Sequence, residues 1–107
     1  MEDQSASPTL FDQLMTINRE AFAQTHYHTA YYALLAAMHE ATTAEDLAGL
    51  VRAQIAAEEQ SGDLYLTTAS PTIKEYGALF GDLAVQIHHS IVVIQQHRLQ
   101  HGLPPLF

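Results

Sequence analysis

The feature that most constrains the fold is a long periodic stretch near the carboxyl end, from Ser70 to Gly102. Serine followed by proline favours the start of a helix, and glycine followed by two prolines favours its end. With Ile73 at heptad position a, the a positions are apolar as far as Ile94, and Tyr76 opens the d positions. A continuous helix of about 30 residues spans about 45 Å. Its apolar seam needs partner helices, so the sequence predicts an all-α, antiparallel four-helix bundle-like domain with a long C-terminal helix.

Three shorter amphipathic segments precede this stretch and can cover its seam. The first opens with Pro8 and with Thr9 and Asp12 at capping-box spacing. The second is apolar over so much of its girth that we expect it at the centre of the bundle. Ser61 and Gly62 are expected to end the third, since glycine commonly terminates helices. The predicted helices are residues 9–24, 27–41, 43–60 and 71–101 of one domain, 1–107, with frayed tails at 1–7 and 103–107.

Three local features carry further expectations. Thr42 or Thr43 is expected to cap the third helix. The link at residues 63–70 is either a turn of helix or an extended segment laid over the core. Gly77 and Gly81, near the start of the last helix, allow either the close approach of another helix or a kink.

Length and composition bound the class of protein. The chain has 107 residues, of which 48% are hydrophobic, and it contains no cysteine. This length supports one core, and the absence of cysteine excludes disulfides, thiolate chemistry and cysteine zinc sites. The acidic start, Met1-Glu2-Asp3, is not followed by an apolar run, which argues against a secretory signal. Nothing in the chain reaches the about 18 apolar residues typical of a membrane span, so we expect a cytoplasmic protein.

The charge balance excludes two classes of partner. Twelve aspartates and glutamates oppose four lysines and arginines, which gives a formal net charge of −8. The four cations, which lie on separate segments, are Arg19, Arg52, Lys74 and Arg98. Nucleic acids and anionic membranes are bound by clustered cations, so neither is an expected partner.

One apolar row lies inside the polar face of the last helix. Positions b and c are mostly polar, but position f, between them, carries Ala78, Val85, Val92 and Leu99. Scattered apolar residues are common on protein surfaces, which is one interpretation. The other is a second contact surface, most simply a homodimer interface through Val85, Val92 and Leu99.

Histidine is the residue type that suggests metal chemistry. His97 and His101 are four residues apart on the last helix and could chelate one divalent transition metal from a single face. Further ligands would come from other helices: Glu58, Glu59, His28 and His39. The Glu-x-x-His motif of di-metal bundles is absent. In the alternative interpretation both histidines cap the last carbonyls of the helix, and no cofactor is expected.

A stripe of the second helix carries His28, Tyr32 and His39. These side chains could line a small pocket, or could form hydrogen bonds at the margin of the core. No serine lies in a strand–turn–helix elbow, and the five glycines form no phosphate loop. These absences favour a protein that is not an enzyme.

The segment from Leu14 to Ala37 resembles one tetratricopeptide helical hairpin. The match lies at that motif's spaced hydrophobic and small positions: Leu14, Ile17, Ala21, Tyr27, Ala30, Leu34 and Ala37. Asn18 stands where the motif has glycine, and Thr42 where it usually has proline. The sequence has no second copy, so a solenoid is not predicted. Residues 26–34 are also similar to stretches in short uncharacterised bacterial all-helical proteins, a resemblance that implies no activity.

Together these features predict a non-enzymatic interaction or assembly module that acts as a homodimer. A protein partner is compatible with this prediction. The alternative is a metal-binding helical bundle that uses His97 and His101 of the last helix.

Overall fold

A computed structural model describes residues 8–67 and 70–103 of the chain. Within these ranges the chain forms α1 at Leu10–Ala23, α2 at Tyr27–Thr43, α3 at Leu47–Thr67 and α4 at Pro71–Gln100, with no strand. The prediction of an all-α four-helix domain with a long C-terminal helix is confirmed. The tail predicted at 1–7, residues 104–107 of the tail predicted at 103–107, and residues 68–69 of the predicted link lie outside the described residues.

α1 begins close to where the sequence predicts. The amide of Asp12 donates a hydrogen bond to the hydroxyl of Thr9 at 3.1 Å, and the amide of Thr9 donates to the carboxylate of Asp12 at 3.4 Å. This capping box satisfies amide groups that the start of a helix leaves without intrahelical partners.

The first two helix junctions contain no glycine. Each closes on a residue with positive φ, Thr25 at 64° and Glu45 at 52°. At the first junction the amide of His26 donates a hydrogen bond to the carbonyl of Ala21 at 2.8 Å. At the second junction the amide of Asp46 donates to the carbonyl of Ala41, also at 2.8 Å. This is Schellman geometry, which glycine usually supplies at the left-handed position. The positions of glycine in the sequence therefore do not indicate where either of these two junctions lies.

The predicted start of α3 is wrong. Thr42 and Thr43 lie in the last turn of α2, and the chain uses residues 44–46 for the turn. The cap of α3 is Asp46, whose carboxylate accepts a hydrogen bond from the amide of Gly49 at 2.9 Å. The helix therefore begins at Leu47 rather than at residue 43.

The predicted end of α3 at Ser61 and Gly62 is also wrong. The helix continues to Thr67, so of the two conformations left open for the following link, the helical one is observed. Leu64 is only 2% exposed, and the hydroxyl of Ser61 donates a hydrogen bond to the carbonyl of Gly77 at 2.8 Å. This packing against α4 outweighs the helix penalty of glycine, which is about 1 kcal/mol.

The helices form two hairpins, α1 with α2 and α3 with α4. α2 packs against the other three helices, in agreement with the central position expected for it, whereas α1 and α4 make no close backbone approach. The molecule measures 49 × 40 × 17 Å. Packed helices lie about 8–10 Å apart, so this thickness corresponds to two helix layers. The largest fully buried apolar side chains are Phe80, Leu34, Leu47, Leu50, Leu64, Leu83 and Ile87.

Small residues line the contact between α3 and α4. A Cβ atom added at Gly81 would lie 3.2 Å from the hydroxyl oxygen of Ser61, and one added at Gly77 would lie 3.5 Å from the Cβ of Leu64. α4 is one continuous helix through both glycines. Of the two roles left open for Gly77 and Gly81, close helix approach is the one observed.

Candidate functional site

The apolar row at heptad position f of α4 is exposed. We refer to Val85, Val92 and Leu99 as the valine row; their exposed fractions are 69%, 38% and 59%. Phe80 and Ile87, at position a of the same helix, are fully buried. The valine row therefore faces away from the core and is available to another molecule. Its use as a dimer interface stays a prediction.

The half of α4 that carries the valine row has no acidic residue after Asp82. Asp82 is the last aspartate or glutamate of the chain, and the residues after it carry one arginine, Arg98, and four histidines. The two histidines beside the row are His88 and His89. A net charge of −8 makes two copies of this protein repel each other over most of their surface. This half of α4 itself contributes no carboxylate side chain to that repulsion.

A groove of about 470 Å³ runs between α3 and α4 beside Val85. Its walls include Tyr65 and Glu58 from α3, and Ala84 and His88 from α4. The groove extends the apolar surface at Val85 onto the neighbouring helix.

α4 is apolar enough, by length and composition alone, to cross a membrane. Its most apolar 18-residue window has a mean hydropathy of 1.4. This corrects the expectation that no segment of the chain reaches the apolar length of a span, because the mean over a window tolerates the polar residues that interrupt the apolar run. The core helix of a water-soluble protein meets the same criterion, so the cytoplasmic location stays a prediction. Only 33% of the window is buried, which leaves much of an apolar helix uncovered.

A second groove lies between α2 and the first turns of α4 and has a volume of about 340 Å³. We refer to it as the aromatic groove. Its lining residues are His28, Tyr31 and Tyr32 from α2, and Thr72, Glu75, Tyr76 and Leu79 from α4. Glu75 is the one acidic residue among them.

Ring contacts hold the walls of the aromatic groove. The ring centroid of Tyr31 lies 5.7 Å from that of the buried Phe80, and Tyr76 lies 5.9 Å from Tyr27. Tyr31 and Tyr32 meet at 5.3 Å with an interplanar angle of 82°. Both contacts of Tyr31 are edge-to-face, a geometry that is favourable beyond its burial of area, whereas the contact of Tyr76 with Tyr27 is tilted, at 48°. The groove is therefore anchored to the core on both sides.

The structure brings together two of the three residues predicted to line a pocket. His28 and Tyr32 both line the aromatic groove, and their ring centroids are 4.8 Å apart. His39 is exposed, about three turns further along α2, and is not among the lining residues. Sequence reasoning missed the wall supplied by α4. The available signal was Tyr76, whose d position directs it toward the other helices.

The predicted metal ligands lie side by side at the end of α4. The ring centroids of His97 and His101 are 4.4 Å apart, and both side chains are exposed. Glu58 and Glu59 are exposed on α3, where Glu58 accepts a hydrogen bond from Gln54 at 3.2 Å. Within residues 8–67 and 70–103, no three histidine, aspartate or glutamate side chains are placed to hold one metal ion. A single copy therefore offers these two histidines as an incomplete set of ligands.

The hairpin of α1 and α2 covers the segment that resembles a tetratricopeptide hairpin. Asn18, where that motif has glycine, is buried and donates a hydrogen bond to the carbonyl of Ala30 at 2.8 Å. The resemblance itself stays a prediction. Comparison of the chain with protein-family models, curated proteins and solved structures found no match.

Proposed function

We propose that this protein is a non-enzymatic assembly module that forms a symmetric homodimer through the valine row. The observation that carries the proposal is a row of exposed apolar side chains on the half of α4 that follows Asp82, where the chain has no further carboxylate residue. Single exposed apolar residues need no explanation. A row of them on a helix whose most apolar window is only 33% buried is typical of an interaction surface.

A second copy of the chain is the occupant that the charges favour. In a twofold interface the same patch meets itself, which requires a patch free of strong like charges. Between Val85 and Leu99 the residues at positions b and c are histidine and glutamine, which suits this requirement. Asp82 of α4 and Glu58 of α3 lie beside Val85, at one end of the row. A basic partner would instead be attracted to the carboxylates, all of which lie at or before Asp82. From Val85 to Leu99 the helix rises about 21 Å, which suits pairing along two antiparallel copies of α4.

The test compares two neighbouring valines on different faces of α4. Val92→Glu places a carboxylate in the proposed interface, and Val93→Glu places one about 100° around the helix at a site of similar exposure, 47% against 38%. Twofold symmetry puts the Val92 substitution into the interface twice. If the desolvation of each carboxylate costs even about 1.4 kcal/mol, the two carboxylates together raise the dissociation constant of the dimer about a hundredfold.

Sedimentation equilibrium of the full chain gives the dissociation constant of each variant. We expect a wild-type dimer, a monomeric Val92→Glu variant, and a Val93→Glu variant that dimerises like wild type, all with the same helical circular dichroism. A wild-type protein that is still monomeric at about 100 µM would contradict the proposal. Equal weakening by the two substitutions would place the interface elsewhere.

The second candidate is metal binding by His97 and His101, which the 4.4 Å separation of their rings favours. Zinc prefers four ligands, so two further ligands would come from another copy or from water. Native mass spectrometry after zinc addition should then show stoichiometric bound metal. The variant His97→Ala should lose this metal. The control variant His26→Ala, at an exposed histidine between α1 and α2, should retain it. Absence of bound metal in the wild-type protein would end this candidate.

A further inference from the structure

We propose that the aromatic groove binds an organic cation, an alkylated ammonium group of the quaternary type. The groove lies at the start of α4, whereas the valine row begins at Val85, so the inference is independent of the proposed homodimer. It rests on the ring geometry, on the charge of the lining and on the size of the groove.

The rings supply surfaces in several orientations. Tyr31 and Tyr32 are nearly perpendicular to each other, at 82°, and His28 meets Tyr32 at 61°. Tyr76 forms the opposite wall from α4. The faces of aromatic rings carry negative electrostatic potential, and rings that surround a cation from different directions attract it without a preferred hydrogen-bond geometry. An alkylated ammonium group, which donates few or no hydrogen bonds, suits such a surface.

Glu75 supplies the complementary charge. Among the residues that the structure describes, it is the one acidic residue of the lining, and none of the lining residues is a lysine or arginine. The protein as a whole carries a formal net charge of −8, which attracts cations and repels anions. The groove therefore selects positive charge both locally and at long range.

The groove has the size and rigidity expected of a small-ligand site. Its volume of about 340 Å³ lies near the lower end of the range for ligand pockets, about 300–1,000 Å³. Contacts of Tyr31 with Phe80 and of Tyr76 with Tyr27 hold both walls before any ligand arrives. A preformed site loses less conformational entropy on binding.

The experiment titrates the full chain with choline and with 3,3-dimethyl-1-butanol, in which a neutral carbon replaces the ammonium nitrogen. Two-dimensional ¹H–¹⁵N NMR reports both affinity and location, in buffer of constant ionic strength. We expect choline to bind in the millimolar range, with shifts centred on residues 28–32 and 72–79, and to bind at least about tenfold more tightly than the neutral alcohol. Equal affinity for the two probes would overturn the assignment of a cation, and so would preferential binding of sulfate.

Three variants distinguish specific binding in the aromatic groove from nonspecific binding to exposed aromatic residues. Tyr32→Ala and Glu75→Gln should each weaken choline binding by about threefold to tenfold. Tyr65→Ala is the matched control, because Tyr65 has nearly the same exposure as Tyr32, 57% against 54%, and lies outside the aromatic groove. Glu75→Gln keeps the shape of the side chain, so it remains informative if Tyr32→Ala disturbs the fold. Equal weakening by Tyr65→Ala, or no effect of Glu75→Gln, would refute the proposal. Val92→Glu should leave choline binding unchanged.

Discussion

Asn18 and Gln60 form a buried pair of side-chain amides between α1 and α3. The Nε2 of Gln60 donates to the Oδ1 of Asn18 at 2.6 Å, and the Nδ2 of Asn18 donates to the Oε1 of Gln60 at 3.0 Å. Asn18 also donates to the carbonyl of Ala30 at 2.8 Å. The two residues are 1% and 8% exposed. Each amide thus replaces bonds to water that burial removes, and the pair ties three helices together.

Replacing Asn18 with leucine should lower the free energy of unfolding by about 1–3 kcal/mol, because the amide of Gln60 and the carbonyl of Ala30 would stay buried without this partner. Adding Gln60→Leu should recover part of that loss, since two apolar side chains need no hydrogen bond. Urea unfolding of both single variants and the double variant measures the coupling. Strictly additive losses would show that the amides act independently.

Asp12 connects the cap of α1 to α3. The hydroxyl of Thr9 donates to its Oδ2 at 2.9 Å, and the guanidinium of Arg52 lies 3.1 Å from its Oδ1. The bond from Thr9, followed by that from Arg52, holds the pKa of Asp12 below its ordinary value. A carboxylate whose pKa is lowered by folding stabilises the folded state above its unfolded-state pKa, about 4, and this stabilisation is lost as the pH falls through the folded-state pKa.

The melting temperature of wild type should therefore exceed that of Asp12→Asn at pH 7, and the gap should close at acid pH, once the pH has fallen through the folded-state pKa of Asp12. Asparagine keeps the shape of the side chain but lacks the charge that Arg52 contacts. Asp82→Asn, at an exposed aspartate of α4, controls for the loss of one negative charge. A gap of the same size at both pH values would mean that the charge of Asp12 is not the source of the stabilisation.

At the scale of the element, α3 continues past Gly62, a residue that would favour the end of a helix, because α3 packs against α4. Gly62 lies inside the helix, and a Cβ atom added there would meet nothing within 4 Å. The residues on either side of it, Ser61 and Leu64, are held by α4. Packing, rather than helix propensity, thus carries α3 past this position.

Gly62→Ala should raise the free energy of unfolding by about 0.5–1 kcal/mol, because alanine restricts the unfolded chain and fits a helical backbone with open space at Cβ. Gly81→Ala should have the opposite sign, since its Cβ would lie 3.2 Å from the Ser61 hydroxyl, which a hydrogen bond to the carbonyl of Gly77 holds in place. Urea unfolding curves of both variants check the pair. Destabilisation by Gly62→Ala would indicate that α3 turns there, as the sequence alone suggests.

At the scale of the molecule, charge and exposed apolar surface are segregated. The carboxylates lie in the first 82 residues, and the valine row lies in the half of α4 that follows. A molecule only 17 Å thick cannot surround its longest helix, so one side of α4 stays uncovered. A second copy on that side would bury apolar surface that the fold leaves exposed.

The amino-acid sequence determined the helical class and the burial pattern of α4. Phe80, Ile87 and Ile94 are buried, as heptad position a requires, and Val85 and Leu99 are exposed at position f. These features follow from periodicity, which is local: the angle between two residues on a helix depends only on their separation along the chain. The cap of α1 at Thr9 was predictable for the same reason.

Tertiary structure alone decided the features that depend on residues distant in the chain. α3 passes Gly62 because α4 packs on it, and the aromatic groove exists because Tyr76 and Glu75 are carried beside Tyr31. The partner of Asn18 lies 42 residues away. Such pairings depend on how whole helices cross, and that geometry is set by the packing of all side chains at the crossing rather than by any local pattern.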